Sequence, residues 1–138
     1  MTDEFIPVCA ADHAFPAEPH RLSDLFGERL LLREAGSGTR SILERGLALQ
    51  NCSVTDFKSI VEFENMHTIN QLVARDCGIS FLYKSAVKEE IEKGTIRELH
   101  PDNFSVSHDF TFIWNKNSIY AERIRSFAES FENIAAGA

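Results

Sequence analysis

The segment Glu34-Ala35-Gly36-Ser37-Gly38-Thr39 concentrates the residue types best suited to holding a polar ligand. Gly36 and Gly38 let another molecule come close to the backbone, and Ser37 and Thr39 add hydroxyls. If a helix follows, its free N–H groups favour an anion or a polar oxygen. A plainer reading of the same residues is a tight turn with Ser37 as helix cap. No Lys follows the last glycine, so this is not a phosphate-binding P-loop, and the dinucleotide GxGxxG spacing is absent. Two further segments share the character, Glu64-Asn65-Met66-His67-Thr68 and Tyr83-Lys84-Ser85. His67 either donates to a ligand or sits exposed in a first helical turn. Ser37 lacks a GxSxG elbow, and no catalytic residue is assigned. His13, His20, His100 and His108 lack metal-ligand spacing, and Cys9, Cys52 and Cys77 are far apart with no CxxC pair. These cysteines read as reduced, buried thiols, and neither a metal nor a cofactor is expected.

The surrounding pattern says what positions these segments. Arg29 to Arg33 is a short apolar run typical of a buried strand. Thr39 to Gln50 places Ile42, Leu43, Gly46 and Leu47 at helical spacing. Phe57 to Phe63 reads as a second strand. Asn65 can cap a helix whose apolar face is Ile69, Leu72, Val73 and Cys77, with Gly78 as its stop. Residues 79–83 form a third strand, Ser85 opens a helix stopped by Gly94, and Thr95 to Leu99 is a fourth strand. This order predicts an α/β fold: an open, mostly parallel sheet with helices on both faces. The three ligand-suited segments then all lie at strand carboxyl ends, where such sheets bind ligands.

At 138 residues, with 43% hydrophobic and 25% charged residues, the chain suits one domain and excludes a disordered or fibrous class. A net charge of −7, with scattered basic residues, argues against direct binding of nucleic acid. No run approaches a membrane span, and the start carries Asp3 and Glu4 rather than a basic leader, so a cytoplasmic protein is expected. Asp12 to Ser23, with Pro16 and Pro19, reads as a loop. Phe110 to Trp114 reads as an apolar strand. Ser118 can cap a last helix with Tyr120, Ile124, Phe127, Phe131 and Ile134 on one stripe, which must dock on something apolar.

Arg33-Glu34-Ala35-Gly36-Ser37-Gly38-Thr39-Arg40 resembles the RE-x-GSGTR segment of LysR-type transcriptional regulators. Ala11-Asp12-His13 with Leu22-Ser23-Asp24-Leu25 is similar to their DHPLA and LxDL stretches. Ile69 to Ala74 and Gly78 to Leu82 resemble their IKxLVAxGxGISFLP pattern. Tyr83 stands where the family usually has proline, Asp76-Cys77 replaces small residues, and Pro16 is displaced. The likeness runs from about Phe5 to Phe131. It implies an effector-binding domain of the type II periplasmic-binding-protein kind. Residues 5–107 would be its second subdomain, and 108–138 the returning strand and C-terminal helix. The DNA-binding segment and most of the first subdomain would be absent, which should weaken effector binding. By motif match, the effector contacts would be Ser37, Gly38, Thr39, Asn65, Met66 and His67, followed by Phe81 and Tyr83. The expected function is sensing of a small, anionic effector without catalysis, in a homo-oligomer. The competing readings are a small α/β enzyme using the Gly36-Ser37-Gly38 turn as an anion pocket, and a transport solute-binding protein, which the lack of an export signal disfavours.

Overall fold

The computed structural model describes residues 2–109, together with Arg123, Arg125, Ser126, Glu129 and Ser130. The chain divides into two compact units, residues 4–106 and residues 1–3 with 107–138. The larger unit carries the sheet and every candidate site residue. Its strands are β1 (Thr2–Ala10) from Glu4 onward, β2 (Arg29–Arg33), β3 (Ser59–Phe63), β4 (Ser80–Tyr83) and β5 (Ile96–Glu98), and its helices are α1 (Gly38–Ala48), α2 (Met66–Ala74) and α3 (Lys84–Lys93). A further strand, β6 (Val106–Asp109), pairs with β1. The expected strand at 110–114 lies outside the described residues. Of the expected last helix, the five described positions are helical and exposed.

The α/β architecture holds. β2 and β3 pair in parallel, with Leu31 opposite Val61. Ile79 bridges Leu30 in the parallel sense, through Leu31 N to Ile79 O and Ile79 N to Arg29 O, both 2.9 Å. β1 pairs antiparallel with β4 (Ile6 opposite Leu82) and with β5 (Cys9 opposite Arg97). β2, β3, β4 and β5 therefore run the same way, as expected of successive βα units, and β1 is inserted against them. The hydrogen-bonded orders are β4-β1-β5 and β2-β3, and the Leu30–Ile79 bridge sets the β2 edge beside the start of β4.

The sequence pattern alone did not reveal β1. Pro7 argues against a central strand, because proline lacks the donor a ladder needs. Here the Pro7 carbonyl accepts from Leu99 N at 2.9 Å, and the β1–β5 ladder begins only at Val8. Pro7 therefore lies just outside the paired residues of the β1–β5 ladder.

Alternation along the strands divides the core. Leu30 and Leu32 point to the face covered by α1, where they join Leu43, Leu47, Phe57 and Phe81. Leu31 points to the opposite face and meets Ile69 and Val73 of α2, Val87 of α3, and Leu82. Each leucine of this run is at most 3% exposed, and burying one contributes roughly 1.5–3 kcal/mol. Three consecutive buried residues are what a strand covered on both sides requires.

Two glycine expectations divide. Gly94 ends α3 in the left-handed conformation, φ 76°, as a helix stop should. Gly78 does not end α2. That helix closes at Arg75, and Asp76 takes the left-handed turn at φ 60°. Gly78 is needed for a different reason: a Cβ there would lie 2.8 Å from Arg29 O and 3.0 Å from Leu31 Cγ, where β2 passes.

Candidate effector site at the strand carboxyl ends

β2, β3 and β4 deliver their connections to one rim of the sheet. At the end of β2, Glu34 N donates to Phe63 O and Ser37 N to Glu34 O, both at 3.1 Å. Gly36 completes the turn at φ 92°, a conformation that favours glycine. Ser37 then takes the N-cap position of α1 in an extended conformation, but its side chain makes no capping bond. The first intrahelical bond runs from Ser41 N to Ser37 O, so the amides of Gly38, Thr39 and Arg40 precede it. Open space surrounds both Gly36 and Gly38: a Cβ built on either meets no atom within 4 Å. The reading of Ser37 as a capping side chain is thus not realised, and the positive end of α1 stays uncovered by its own cap.

The start of α2 is built the other way. Asn65 Oδ1 accepts from His67 N at 2.8 Å and Thr68 N at 3.4 Å, which closes the helix start from within. The capping expectation for Asn65 is correct, and His67 is exposed in the first turn. Met66 is half-buried against the α2–α3 core. α3 begins at Lys84, one residue earlier than expected, with Tyr83 as N-cap and no side-chain capping bond.

Beneath the start of α1, between the ends of β2 and β4, lies a small hollow of about 10 Å³, open to solvent on one side, where Arg33, Thr39, Arg40, Ser80 and Phe81 meet core leucines. Thr39 and Phe81 therefore meet at one place. Phe81 is 2% exposed and serves the core as well, edge-on to Phe57 and Phe104 at centroid distances of 6.1 and 5.1 Å. Tyr83 is half-buried and packs edge-on against Phe5 at 5.3 Å. Further along the rim, Lys84 Nζ lies 3.4 Å from Glu98 and 3.8 Å from Glu4.

The charges around the turn are paired. Arg33 Nε donates to Glu34 Oε2 at 3.1 Å, which holds the Glu34 carboxyl below the usual range. Arg40 is engaged with Glu44 and Glu62. Arg40 was not singled out as a candidate from the sequence. Its spacing to Glu44, four residues on, was legible, but its partner on β3 was not. Among the described residues no three His, Cys, Asp or Glu side chains are placed to hold a metal.

A family model, the LysR substrate binding domain, matches residues 1–135. The chain belongs to this family. It is 36% identical over 101 residues to an uncharacterized HTH-type transcriptional regulator, YwqM of Bacillus subtilis (strain 168), covering 72% of this chain and 33% of that protein. Among solved structures it resembles the CcmR regulatory domain of Synechocystis PCC6803 in complex with 2-PG, with a TM-score of 0.69, 18% identity, and coverage of 92% of this chain and 62% of that one. It also resembles the effector binding domain of QuiR in complex with shikimate, at a TM-score of 0.65 and 18% identity, covering 94% of this chain and 61% of that one. The chain thus spans about a third of the length of the regulator it matches, and these structural likenesses establish the type II periplasmic-binding-protein-like fold.

Proposed function

We propose that this LysR substrate-binding domain senses a small anionic effector at the carboxyl rim of its sheet, without catalysing a reaction on it. One observation carries the reading: at the start of α1 the serine makes no capping bond and the glycines have free space around them, while the next residue, Thr39, lines the hollow. Ser37, Gly38 and Thr39 form the first part of the site. Asn65, Met66 and His67 on the neighbouring rim form the second, with Phe81 below and Tyr83 beside them. Two proteins of the same fold bind small molecules, 2-PG and shikimate. Within the whole protein, residues 5–107 act as the second subdomain and 108–138 as the returning strand and helix. Effector binding there biases the arrangement of a homo-oligomeric, cytoplasmic regulator. None of the described helices is long and apolar enough to cross a membrane.

The test is thermal unfolding with sulfate and with small carboxylates. The expected result is a rise in Tm that shrinks when Ser37 or Thr39 is replaced by alanine. An unchanged rise in both variants removes the pocket. Chemical conversion of any ligand tested would favour the competing enzyme reading.

A further inference from the structure

A cation in the first turn of a helix opposes the helix dipole. Arg40 nonetheless occupies the third position of α1, and no acidic residue shares that turn. Its charge is spent sideways. Nη1 donates to Glu62 Oε1 on β3 and, at 3.4 Å, to the Arg33 carbonyl where β2 ends. Nε donates to Glu44 Oε1 at 2.9 Å, one turn along α1. The Arg40 side chain is only 14% exposed, and its hydrogen bonds to Glu62 first and Glu44 second raise the pKa of its guanidinium. A fork already committed to two carboxylates and a carbonyl has little left to offer an anion. It instead ties the first turn of α1 to the ends of two strands. Thr39 is the adjoining residue, and both line the same hollow.

We propose that Arg40 is a positioning residue for the effector site. With Glu62 it forms a clamp that fixes the Gly36-Ser37-Gly38-Thr39 turn on β2 and β3, so that the open amides of α1 face the hollow without having to be ordered by the ligand. This rests on the effector-pocket reading above. Ordering a site in advance raises affinity by removing the cost of fixing it during binding. The planar fork is what the clamp needs; a lysine ammonium supplies the charge but not the geometry.

The experiment titrates the 138-residue chain with inorganic sulfate. It follows the amide signals of Gly38 and Thr39 by NMR, together with amide hydrogen exchange through the first turn of α1. The variants are Arg40→Lys, Arg40→Gln and Glu62→Gln. Expected are sulfate affinities lower by about ten-fold in both Arg40 variants, the loss of a pre-ordered turn. Glu62→Gln should also bind several-fold more weakly, and first-turn exchange should be faster in all three. The sign of the Glu62 result is decisive, because removing a nearby negative charge strengthens anion binding if Coulomb attraction alone matters. Glu62 is 51% exposed, so Glu62→Gln keeps the test available if an Arg40 variant does not fold. Tighter or unchanged binding by Glu62→Gln, or wild-type affinity in Arg40→Lys with loss only in Arg40→Gln, overturns the clamp and leaves the pocket standing. Wild-type Gly38 and Thr39 amides that ignore sulfate defeat the pocket reading and the clamp with it.

Discussion

The two ends of the sheet are built on opposite plans. At the carboxyl ends of β2 and β4 the helix starts lack capping side chains, and the glycine turn after β2 leaves space beside the backbone. At the amino ends the chain is closed upon itself. His13 there has Asp76 Oδ1 2.6 Å from Nδ1 and Glu28 Oε2 3.2 Å from Nε2. Arg97 reaches Glu18 at 2.7 Å and lies 5.6 Å from the centre of the Phe15 ring. Cys9 is fully buried, and Gly78 lets β2 pass at contact distance. One end is completed by its own side chains, the other leaves donors and space for something else. Substitutions at the closed end should therefore alter stability, and those at the open rim should alter binding.

The most damaging test of this contrast is Gly78→Ala. Its Cβ would press on backbone that cannot yield without shifting β2, so we expect a loss of about 3 kcal/mol in urea unfolding, at the upper end for overpacking. Sulfate binding by the fraction still folded should be unchanged. A fully stable Gly78→Ala protein would mean that the amino end is looser than its contacts imply.

Cys9 supplies the next effect. Burial outweighs the opposing influence of Arg97 and raises its thiol pKa from 9.0 to about 11. The unfolded chain therefore loses the Cys9 proton first as pH rises. The stability tied to this difference is complete below pH 9 and disappears as pH climbs through about 11, on the order of 2 kcal/mol in all. Urea unfolding of wild type and Cys9→Ala across this range isolates the contribution from that of lysines and tyrosines. Parallel pH curves for the two proteins would contradict it.

A smaller effect comes from the rim itself, where α2 and α1 can be set side by side. Asn65→Ala removes two bonds to helix amides and should cost about 1 kcal/mol, visible as a lower Tm. Ser37→Ala removes no capping bond and should change stability by under about 0.5 kcal/mol, while reducing the sulfate-induced rise in Tm. Equal stability losses in the two variants would erase the distinction between a closed and an open helix start.

Much of this architecture was readable in the chain before any coordinates. The run Leu30-Leu31-Leu32 announced a strand covered on both faces, Asn65 announced a helix cap, and Gly94 a helix stop. Each depends on backbone geometry within a few residues. The Gly-Ser-Gly-Thr turn and its place at a strand end were legible for the same reason, and the family motifs strengthened them. Gly78 was misread because its neighbour in space, Arg29, is far away in sequence. β1 escaped because its burial comes from β4 and β5, which lie more than 70 residues further along the chain.

The sequence by itself determined that β2 to β5 and α1 to α3 become strands and helices, and which of their ends carry hydroxyls and glycines, because propensity, periodicity and capping act over one or two turns of chain. Only the tertiary structure decided that Ser37 leaves its helix uncapped while Asn65 does not, that Glu62 receives Arg40, and that β1 runs against its neighbours. Those outcomes depend on which side chains from distant segments arrive at the same place, and on which polar groups then find a partner there.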